Sequence, residues 1–410
     1  MKMDAIVAGV GMTQFGKHLD RGLKSLGTEA VRGALEDAGI DADQLDAAYV
    51  GNAAAGLVTG QESIRGQVIL RDMGLGRLPV INVENACASA STAAHQAAAM
   101  VTAGLYDCVL ALGVEKLYDE DKRKSFGAFS GAVDFEFLKP FMEMLQGSAK
   151  SSGGSAGSSG AGEKRSMFMD IYAAVARAHM DRYGTTAEQF AMVSAKNSRH
   201  GHLNPRAQFR QVMSVQEVLD APMIAEPLTR PMCSPIGDGG AALILVSERK
   251  AAELGITDPV RIRSSVLRSG WDHNPTEEDA AMLCAREALE EAGVSPDELS
   301  VVECHDASAP AEIIAYESIG LCEKGDGGDL VASGATEIGG RIPVNTSGGL
   351  LRKGHPVGAT GIAQIIELTE QIQGRSGDRQ VEGAAVGLAH NGGGTIGTDV
   401  AAMCVTVVSK

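Results

Sequence analysis

The residues around Cys87 could supply a nucleophile for covalent catalysis. A β-branched strand at Ile81–Val83 ends just before Cys87, and a helix of small residues starts at Ser89. A thiol at the N-terminus of a helix is expected to have a lowered pKa, because the helix dipole favours the thiolate. Backbone N–H groups at such a turn also face an incoming oxyanion. The segment therefore predicts a reactive cysteine rather than a structural one.

Three histidines are candidate partners for this thiol. His355 lies between glycines at a helix start in Gly354–Gly361, where a general base can reach a neighbouring nucleophile. His305 ends a short apolar strand, and His390 precedes a glycine turn at Gly392–Gly394 inside the last predicted hairpin. Taken singly, these features would fit a buried thiol, a capping histidine or a tight turn. Their combination in one chain indicates a catalytic site.

An internal repeat organises the elements that must position these residues. The helix pattern of residues 31–40 recurs at residues 285–294, and both copies end at a glycine, the usual residue after a helix C-terminus. In each copy an acidic turn and a short apolar strand follow, at 47–50 and at 299–302. One repetition predicts two similar α/β halves rather than a solenoid, which needs several copies.

A region of different character, residues 119–229, separates the halves. It contains a Gly/Ser-rich stretch at 147–162, which is typical of a surface loop rather than of a lid with a direct role. A helix carrying Met167 and Ala178 follows, and Thr185–Gln189 predicts a capping-box start for another helix. We interpret this region as an inserted subdomain.

Composition excludes several function classes. The chain has 410 residues with 36 Lys+Arg against 52 Asp+Glu, a formal charge of −16 that disfavours a nucleic-acid surface. No apolar run approaches the roughly 18 residues of a transmembrane helix, and the start lacks a signal-peptide pattern. Seven cysteines without a CxxC pair exclude a zinc ribbon within this chain. We expect a soluble, cytoplasmic protein without a bound metal, a membrane segment or a nucleic-acid partner.

Five motifs in this order resemble the thiolase superfamily, and most closely its sterol-carrier-protein type and acetyl-CoA acetyltransferases. They are NACAS around Cys87, RPMCSPIGDGGAA at 230–242, CHDAS at 304–308, GHPVGATG at 354–361 and HNGGG at 390–394. The resemblance implies the duplicated, five-layered αβαβα thiolase fold with an inserted loop subdomain. It places the N-terminal half at 1–118 and 230–250, the insertion at 119–229 and the C-terminal half at 251–410.

The resemblance also implies a role for each candidate residue. Cys87 would accept the acyl group, His355 would activate it, and His305 would hold the thioester oxygen. The backbone N–H groups of Cys87 and Gly392 would form a second oxyanion hole. Coenzyme A would be a substrate, with no bound cofactor. Further contacts to substrate or coenzyme A are assigned to Ser234, Ser347 and Gly348.

One departure from the family pattern concerns the second catalytic cysteine. Most thiolases carry it in a CxG turn, where this chain has His390, and the sterol-carrier type takes it from an HDCF motif, which here reads His305-Asp306-Ala307-Ser308. Alternation along a strand aims Cys304 to the face opposite His305, so Cys304 is a poor substitute. Proton transfer to or from carbon would then fall to His390, His355, His305 or a partner chain.

Three functions stay open on this evidence. The first is a thiolase for 3-oxoacyl-CoA, on a branched or aromatic substrate such as benzoylsuccinyl-CoA. It would be at least a homodimer and would work with a small OB-fold/zinc-ribbon partner, as some relatives do. The second is a related C-acyltransferase or a retro-aldol lyase acting on a CoA-linked side chain. The third is a non-catalytic partner subunit; the retained Cys87 and His355 favour acyl transfer over both alternatives.

Two weaker features have plainer explanations. Cys233, just before a Gly-rich turn and a buried strand, is predicted to be packed rather than reactive. A second group of residues, which are basic, could meet the phosphates of coenzyme A, although such charges more often form a solvated face. This group consists of Lys122–Lys124, Lys150, Lys164 and Arg165.

Overall fold

The computed structural model describes residues 2–134, 136, 166–274 and 277–410. The strands are β1 (Lys2–Met12), β2 (Ala47–Gly51), β3 (Val80–Val83), β4 (Cys108–Glu115), β5 (Met223–Ala225), β6 (Leu228–Thr229), β7 (Gly239–Val246), β8 (Val260–Ser269), β9 (Val301–Glu303), β10 (Val386–Ile396) and β11 (Asp399–Ser409). The helices before the second half are α1 (Leu23–Ala38), α2 (Ala55–Thr59), α3 (Arg65–Asp72), α4 (Ser89–Thr102), α5 (Lys122–Phe129), α6 (Phe168–Tyr183), α7 (Ala187–Leu203), α8 (Val215–Leu219) and α9 (Glu248–Glu253). Those that follow are α10 (Ala280–Ala292), α11 (Ala309–Ile319), α12 (Gly327–Ala332), α13 (Gly349–Arg352) and α14 (Thr360–Ile372).

Nine strands form one sheet in the order β3-β2-β4-β7-β1-β8-β11-β10-β9. On the N-terminal side β2 is parallel to β3 and β4, and β7 is antiparallel to β4 and β1. On the C-terminal side β9 is parallel to β10, and β11 is antiparallel to β10 and β8. One parallel pairing followed by two antiparallel ones thus occurs in both halves, and β3 adds a further parallel strand on the N-terminal side. The two series meet at the antiparallel pair of β1 and β8.

The predicted repeat is visible in its local structure as well. The repeated helix forms α1 and α10, which end at Gly39 and Gly293 with φ of 66° and 69°. This left-handed conformation favours glycine, because a side chain would clash with its own backbone there. The acidic turns that follow are both short 3-10 helices, and they lead into β2 and β9.

Helices cover both sides of the sheet and also fill its interior. α4 and α14 contact strands from both series and pack against each other, so the sheet wraps around them. α1 and α3 cover the outer face of the N-terminal series, and α10 and α11 cover that of the C-terminal series. Five of the six alanines of α4 are buried, and their small side chains let the two series approach closely. The chain therefore has the layered α/β arrangement that its motifs predict.

The described part of the inserted region, residues 119–134, 136 and 166–229, is mostly helical. α6 follows Ser166, and α7 begins with a capping box between Thr186 and Gln189, as the sequence predicts. α7 packs on α11, α12 and α13 of the C-terminal half. The Gly/Ser-rich stretch at 147–162 lies outside the described residues, and the exact bounds of the three regions stay a prediction. Among the described residues, no helix is both long and apolar enough to cross a bilayer.

Glycines let β1 pack directly on α1. A Cβ atom on Gly11 would lie 2.3 Å from the Ala30 carbonyl oxygen, and one on Gly9 would lie 2.3 Å from the Ala34 carbonyl oxygen. These neighbours are helix backbone, which cannot rotate away as a flexible side chain could. Both positions therefore need glycine if α1 is to cover this face of the sheet.

We expect Gly11→Ala to lower the free energy of unfolding by about 2–3 kcal/mol, because the added methyl group must displace α1. Thermal unfolding followed by circular dichroism measures the effect. Gly76→Ala is the matched control, since a Cβ atom there meets nothing within 4 Å. Equal melting temperatures for the two variants would show that α1 adjusts freely.

Candidate active site

Cys87 lies on the turn that connects β3 to α4. The turn is a 3-10 helix at Ala86–Ala88, and Ala86 has a φ of 48°, a conformation that non-glycine residues rarely adopt. Local hydrogen bonds hold it: the Glu84 carboxylate accepts from the Ala86 N–H at 2.6 Å, and the Ser89 hydroxyl oxygen accepts from the Asn85 N–H at 2.9 Å. The thiol is thus carried on a backbone that its neighbours fix.

The glycines of β10 pack against this turn. A Cβ atom on Gly393 would lie 2.2 Å from the Asn85 carbonyl oxygen, so only glycine fits there. Gly394 has a φ of 65°, and its backbone N–H lies against the Cys87 sulfur. Gly392, predicted to form part of an oxyanion hole, lines the same cavity as Cys87. The last hairpin therefore forms one wall around the nucleophile.

His355 is oriented by a hydrogen-bond chain on its far side. Its Nδ1 lies 2.8 Å from Thr360 Oγ1, and the Thr360 hydroxyl donates to the Pro356 carbonyl at 3.2 Å. When the Thr360 hydroxyl donates to the Pro356 carbonyl, its oxygen accepts the Nδ1–H of His355. The other ring nitrogen, Nε2, then carries a lone pair, which is what a general base for a thiol requires.

His305 completes a cluster of three polar groups. The sulfur of Cys87 and one ring nitrogen each from His305 and His355 all lie within 4.8 Å of one another. The two rings meet edge to face, with centroids 5.2 Å apart and planes at 83°. On its other side His305 Nδ1 accepts from Asn391 Nδ2 at 2.9 Å. The structure thus brings together three of the four predicted catalytic side chains at one point.

A thiol and two imidazoles are also ligands that a zinc ion accepts. The cluster of Cys87, His305 and His355 could therefore hold a metal by donor type. The same arrangement places a base beside a nucleophile, which is the requirement for acyl transfer.

Burial determines the charge state of the site. It raises the pKa of the Cys87 thiol to about 12, and the Glu115 and Glu84 carboxylates add to this, outweighing the N–H groups of Gly394 and Cys87. The prediction of a lowered thiol pKa is therefore wrong, because desolvation exceeds the effect of the helix start. Burial also lowers the pKa of His355 to about 3, aided by the Lys353 charge. Thiol and imidazole are thus both neutral at rest.

His390 has an unusual environment. Its side chain is 6% exposed and lines the cavity, and within the described residues neither ring nitrogen has a hydrogen-bond partner. Burial lowers its pKa to about 4, while the Asp279 carboxylate acts in the opposite direction. An unpaired imidazole is costly to bury, so a ligand in the cavity is the natural partner for it.

A cavity of about 830 Å³ joins Cys87, His305, His355 and His390. Helices from the inserted region and its border form much of the wall through large apolar side chains. These include Phe126, Phe129, Phe168, Met169 and Tyr172. The site is thus an apolar chamber with a small number of polar groups at the nucleophile.

The remaining predicted residues divide into two groups. Ser234 lines the cavity, whereas Ser347 and Gly348 do not; the Ser347 hydroxyl donates to the buried Glu303 at 2.6 Å. Cys233 also lines the cavity, and burial raises its thiol pKa to about 12. Cys304 is fully buried in the core behind His305, on the side that strand alternation predicts.

The predicted phosphate contacts have mixed outcomes. Lys122 lines the cavity, while Arg123 and Lys124 pair with Asp121 and Asp119. Lys150, Lys164 and Arg165 lie outside the described residues. The cavity also has basic side chains that sequence reasoning missed, namely Lys17, Arg65 and Arg230.

Sequence reasoning also missed Glu115, which braces the loops beside the site. Its buried carboxylate accepts from the N–H groups of Ala53 at 3.1 Å and Gly358 at 2.9 Å, and from Asn52 Nδ2 at 3.0 Å. The loop after β2 and the loop after His355 are thereby held to the end of β4. These partners are far apart in sequence, so no local pattern could have indicated the residue.

Comparisons with known proteins identify the family. The description "Thiolase, N-terminal domain" matches residues 5–249, and "Thiolase C-terminal domain-like" matches residues 269–406. The chain belongs to the thiolase family.

Several named thiolase relatives cover nearly the whole chain. Acetyl-CoA acetyltransferase of Methanothermobacter thermautotrophicus is 42% identical over 96% of this chain and 97% of the relative. Benzoylsuccinyl-CoA thiolase subunit BbsB of Thauera aromatica is 36% identical over 95% and 94%. Sterol carrier protein 2 of Bos taurus is 35% identical over 94% of this chain and 69% of its own length. The predicted acetyltransferase and sterol-carrier-type likeness is confirmed, and the chain is an acyltransferase of the thiolase family.

A solved structure extends the likeness to the fold. The Ltp2–ChsH2(DUF35) aldolase matches with a TM-score of 0.78 and 25% identity, covering 99% of this chain and 98% of that chain. The predicted thiolase fold is confirmed. The matched complex is named an aldolase, so related chains with this fold carry out more than one chemistry.

We expect alkylation of Cys87 by iodoacetamide to accelerate about tenfold per pH unit from roughly pH 6 to pH 10. The reason is that the thiolate fraction grows in this way below a raised pKa. Peptide mass spectrometry measures the labelled fraction with time. Cys87→Ser controls for labelling of Cys233 in the same cavity. A rate that is constant above about pH 5 would indicate a thiolate–imidazolium pair instead.

Proposed function

We propose that this thiolase cleaves or forms 3-oxoacyl-CoA through an acyl-enzyme on Cys87. The observation that carries the proposal is the approach of the Cys87 sulfur and the His305 and His355 nitrogens to within 4.8 Å of one another. A nucleophile, a base without a proton on its facing nitrogen and a second imidazole are the groups that acyl transfer from a thioester requires.

In the cleavage direction His355 Nε2 takes the Cys87 proton as the sulfur attacks the 3-oxo carbonyl carbon. The S–C bond forms and the carbonyl electrons move to oxygen, where backbone N–H groups of the glycine wall stabilise the charge. On collapse the C2–C3 bond breaks and its electron pair forms the enolate of the departing acyl-CoA, which takes a proton at C2 from His390 in its charged form. The thiol of coenzyme A then gives its proton to His390 and attacks the acyl-enzyme carbonyl. The S–C bond to Cys87 breaks, and the Cys87 thiolate regains its proton from His355.

His305 and His390 fit the two ends of this enolate. We assign His305 to the thioester oxygen, because its ring faces the cavity beside His355. We assign His390 to proton transfer at C2, because it is buried, has no hydrogen-bond partner among the described residues and occupies the family's CxG position. In the condensation direction the neutral His390 removes the proton from C2.

The acyl group is proposed to be larger than acetyl, branched or aromatic. The cavity holds about 830 Å³, and phenylalanine, methionine and tyrosine side chains from the inserted region line it. The relative named benzoylsuccinyl-CoA thiolase subunit supports an aromatic substrate of that kind. The basic side chains Lys17 and Lys122 on the cavity wall suit the phosphates of coenzyme A, which acts as substrate.

We further propose a small OB-fold/zinc-ribbon protein as partner, on a chain that is at least a homodimer and cytoplasmic. The solved structure of the Ltp2–ChsH2(DUF35) complex supports a second protein on this fold. The same structure supports the second candidate function, a retro-aldol lyase on a CoA-linked side chain. A lyase has no need of an acyl-accepting thiol, so the Cys87–His355 pair favours acyl transfer over the lyase and over a non-catalytic subunit.

We expect incubation with 3-oxoacyl-CoA or acyl-CoA thioesters to leave an acyl group on Cys87, detected by intact and peptide mass spectrometry. Cys87→Ala should abolish the adduct, whereas Cys304→Ala should leave it nearly intact, because Cys304 is buried behind the site. Absence of an adduct from acetyl-CoA, benzoyl-CoA and their 3-oxoacyl counterparts, with the partner protein added, would favour the lyase.

We expect His390→Gln to separate the two half-reactions. Acylation of Cys87 by a simple acyl-CoA needs no proton transfer at carbon and should stay within a few-fold of the wild type. Acylation by a 3-oxoacyl-CoA should fall by about 10²–10⁴-fold, the usual contribution of a general acid or base. Rapid-quench mass spectrometry measures both rates. Equal losses with both substrates would show that His390 acts on the site as a whole.

A further inference from the structure

Asn391 links the catalytic histidine His305 to helix α4. Its Nδ2 lies 2.9 Å from His305 Nδ1, and its Oδ1 lies 2.7 Å from the Ser91 hydroxyl. Asn391 and Ser91 are 1% and 3% exposed, so neither can exchange these partners for water. The hydrogen bond at His305 Nδ1 is therefore set by these buried side chains rather than by solvent.

The donor and acceptor roles in this series of hydrogen bonds follow from the second contact of Ser91. Its hydroxyl also lies 2.9 Å from the Ala88 carbonyl, but that carbonyl already accepts the Thr92 hydroxyl at 2.8 Å. A hydroxyl has one proton, and with Ala88 satisfied the Ser91 proton goes to Asn391 Oδ1. The amide nitrogen of Asn391 then faces His305.

An amide N–H can only donate, so His305 Nδ1 must accept. A neutral imidazole carries one proton, and burial keeps His305 neutral by lowering its pKa well below the ordinary value. The proton of His305 is therefore on Nε2. His355 has the opposite arrangement when Thr360 donates to the Pro356 carbonyl and accepts the Nδ1–H of His355.

We propose that Asn391, held by Ser91, is a positioning residue that fixes the proton of His305 on Nε2. The fixed tautomer makes His305 a hydrogen-bond donor to the substrate oxygen and leaves His355 as the base. The two imidazoles are chemically identical, and the hydrogen bond at Nδ1 of each ring gives them different roles. The inference rests on the proposed acyl transfer at Cys87.

The fixed tautomer is expected to disfavour zinc. A metal ion needs a lone pair on each ligating nitrogen, and in this tautomer Nε2 of His305 carries a proton while Nδ1 is engaged by Asn391. Reversal of the tautomer would convert the three groups into a ligand set. Zinc affinity therefore reports which nitrogen of His305 carries the proton.

Asn391→Asp tests the proposal, because a carboxylate accepts hydrogen bonds where the amide nitrogen donated. It should draw the His305 proton to Nδ1 and remove the donor from the cavity. Acylation of Cys87 by acetoacetyl-CoA, or by another 3-oxoacyl-CoA that labels the wild type faster, should fall about 10²–10³-fold, because this reaction forms the enolate whose oxygen His305 binds. Acylation by acetyl-CoA forms no enolate and should stay within a few-fold of the wild type. The rates are measured by rapid-quench mass spectrometry at about pH 8.5, where histidines are neutral.

Asn391→Leu is the matched control, since it removes the hydrogen bond without imposing the opposite tautomer. Its acylation rate should fall less than about tenfold, although leucine differs more in shape from asparagine than aspartate does. If Asn391 acts only through packing, the order reverses and the leucine variant is the slower. Ser91→Ala is the second route if both Asn391 variants fail to fold; a small loss of the acylation rate is expected from the freed amide.

Inhibition by zinc ions alone provides a readout that a packing role would not change. Asn391→Asp should be inhibited at about 10–100-fold lower zinc concentration than the wild type, as expected when a carboxylate supports a histidine ligand. Unchanged zinc sensitivity with an unchanged acylation rate would overturn the proposal. A wild type that forms no acyl-enzyme at all would instead overturn the function proposed for Cys87.

Discussion

Enclosure of Cys87 and His355 in a mostly apolar cavity is the constraint on which the rest of the site depends. Burial keeps the thiol protonated and the imidazole of His355 neutral, so neither of these two groups is charged until substrate arrives. The proton must then move from sulfur to nitrogen as the S–C bond forms, which demands close and fixed geometry. Thr360 provides this for His355, and the glycine wall of β10 provides it for the thiol.

The fold builds this enclosed site from segments that are far apart in sequence. Cys87 follows β3 in one strand series, whereas His305 follows β9 and His390 lies on β10 in the other. Glycine at 393 lets β10 touch the Cys87 turn, and Glu115 holds the His355 loop through Gly358. A carboxylate near the thiol raises the thiol pKa. Glu115 therefore fixes the loops around the site but also lowers the fraction of Cys87 that is thiolate.

Sequence reasoning succeeded where one local pattern determines the outcome. The helix that ends at Gly39 and recurs to end at Gly293, the Cys87 turn and the three histidines are all readable from neighbouring residues. It failed where distant contacts decide. The thiol pKa depends on desolvation by the whole fold, Asn391 acts through Ser91 about 300 positions away, and Ser347 turned out to bind the core carboxylate Glu303.

Replacement of the usual second cysteine by His390 changes how a proton can move at carbon. A thiol in that place is an acid at rest, whereas burial holds the pKa of His390 at about 4 and makes it a base at rest. The neutral imidazole can therefore accept a proton from C2 directly, as condensation requires. For cleavage it must first gain a proton, and the Asp279 carboxylate, which favours the charged ring, stabilises that state. In the proposed mechanism condensation therefore uses the resting form of His390 and cleavage uses its charged form, whereas the resting form of a cysteine in this position would serve cleavage.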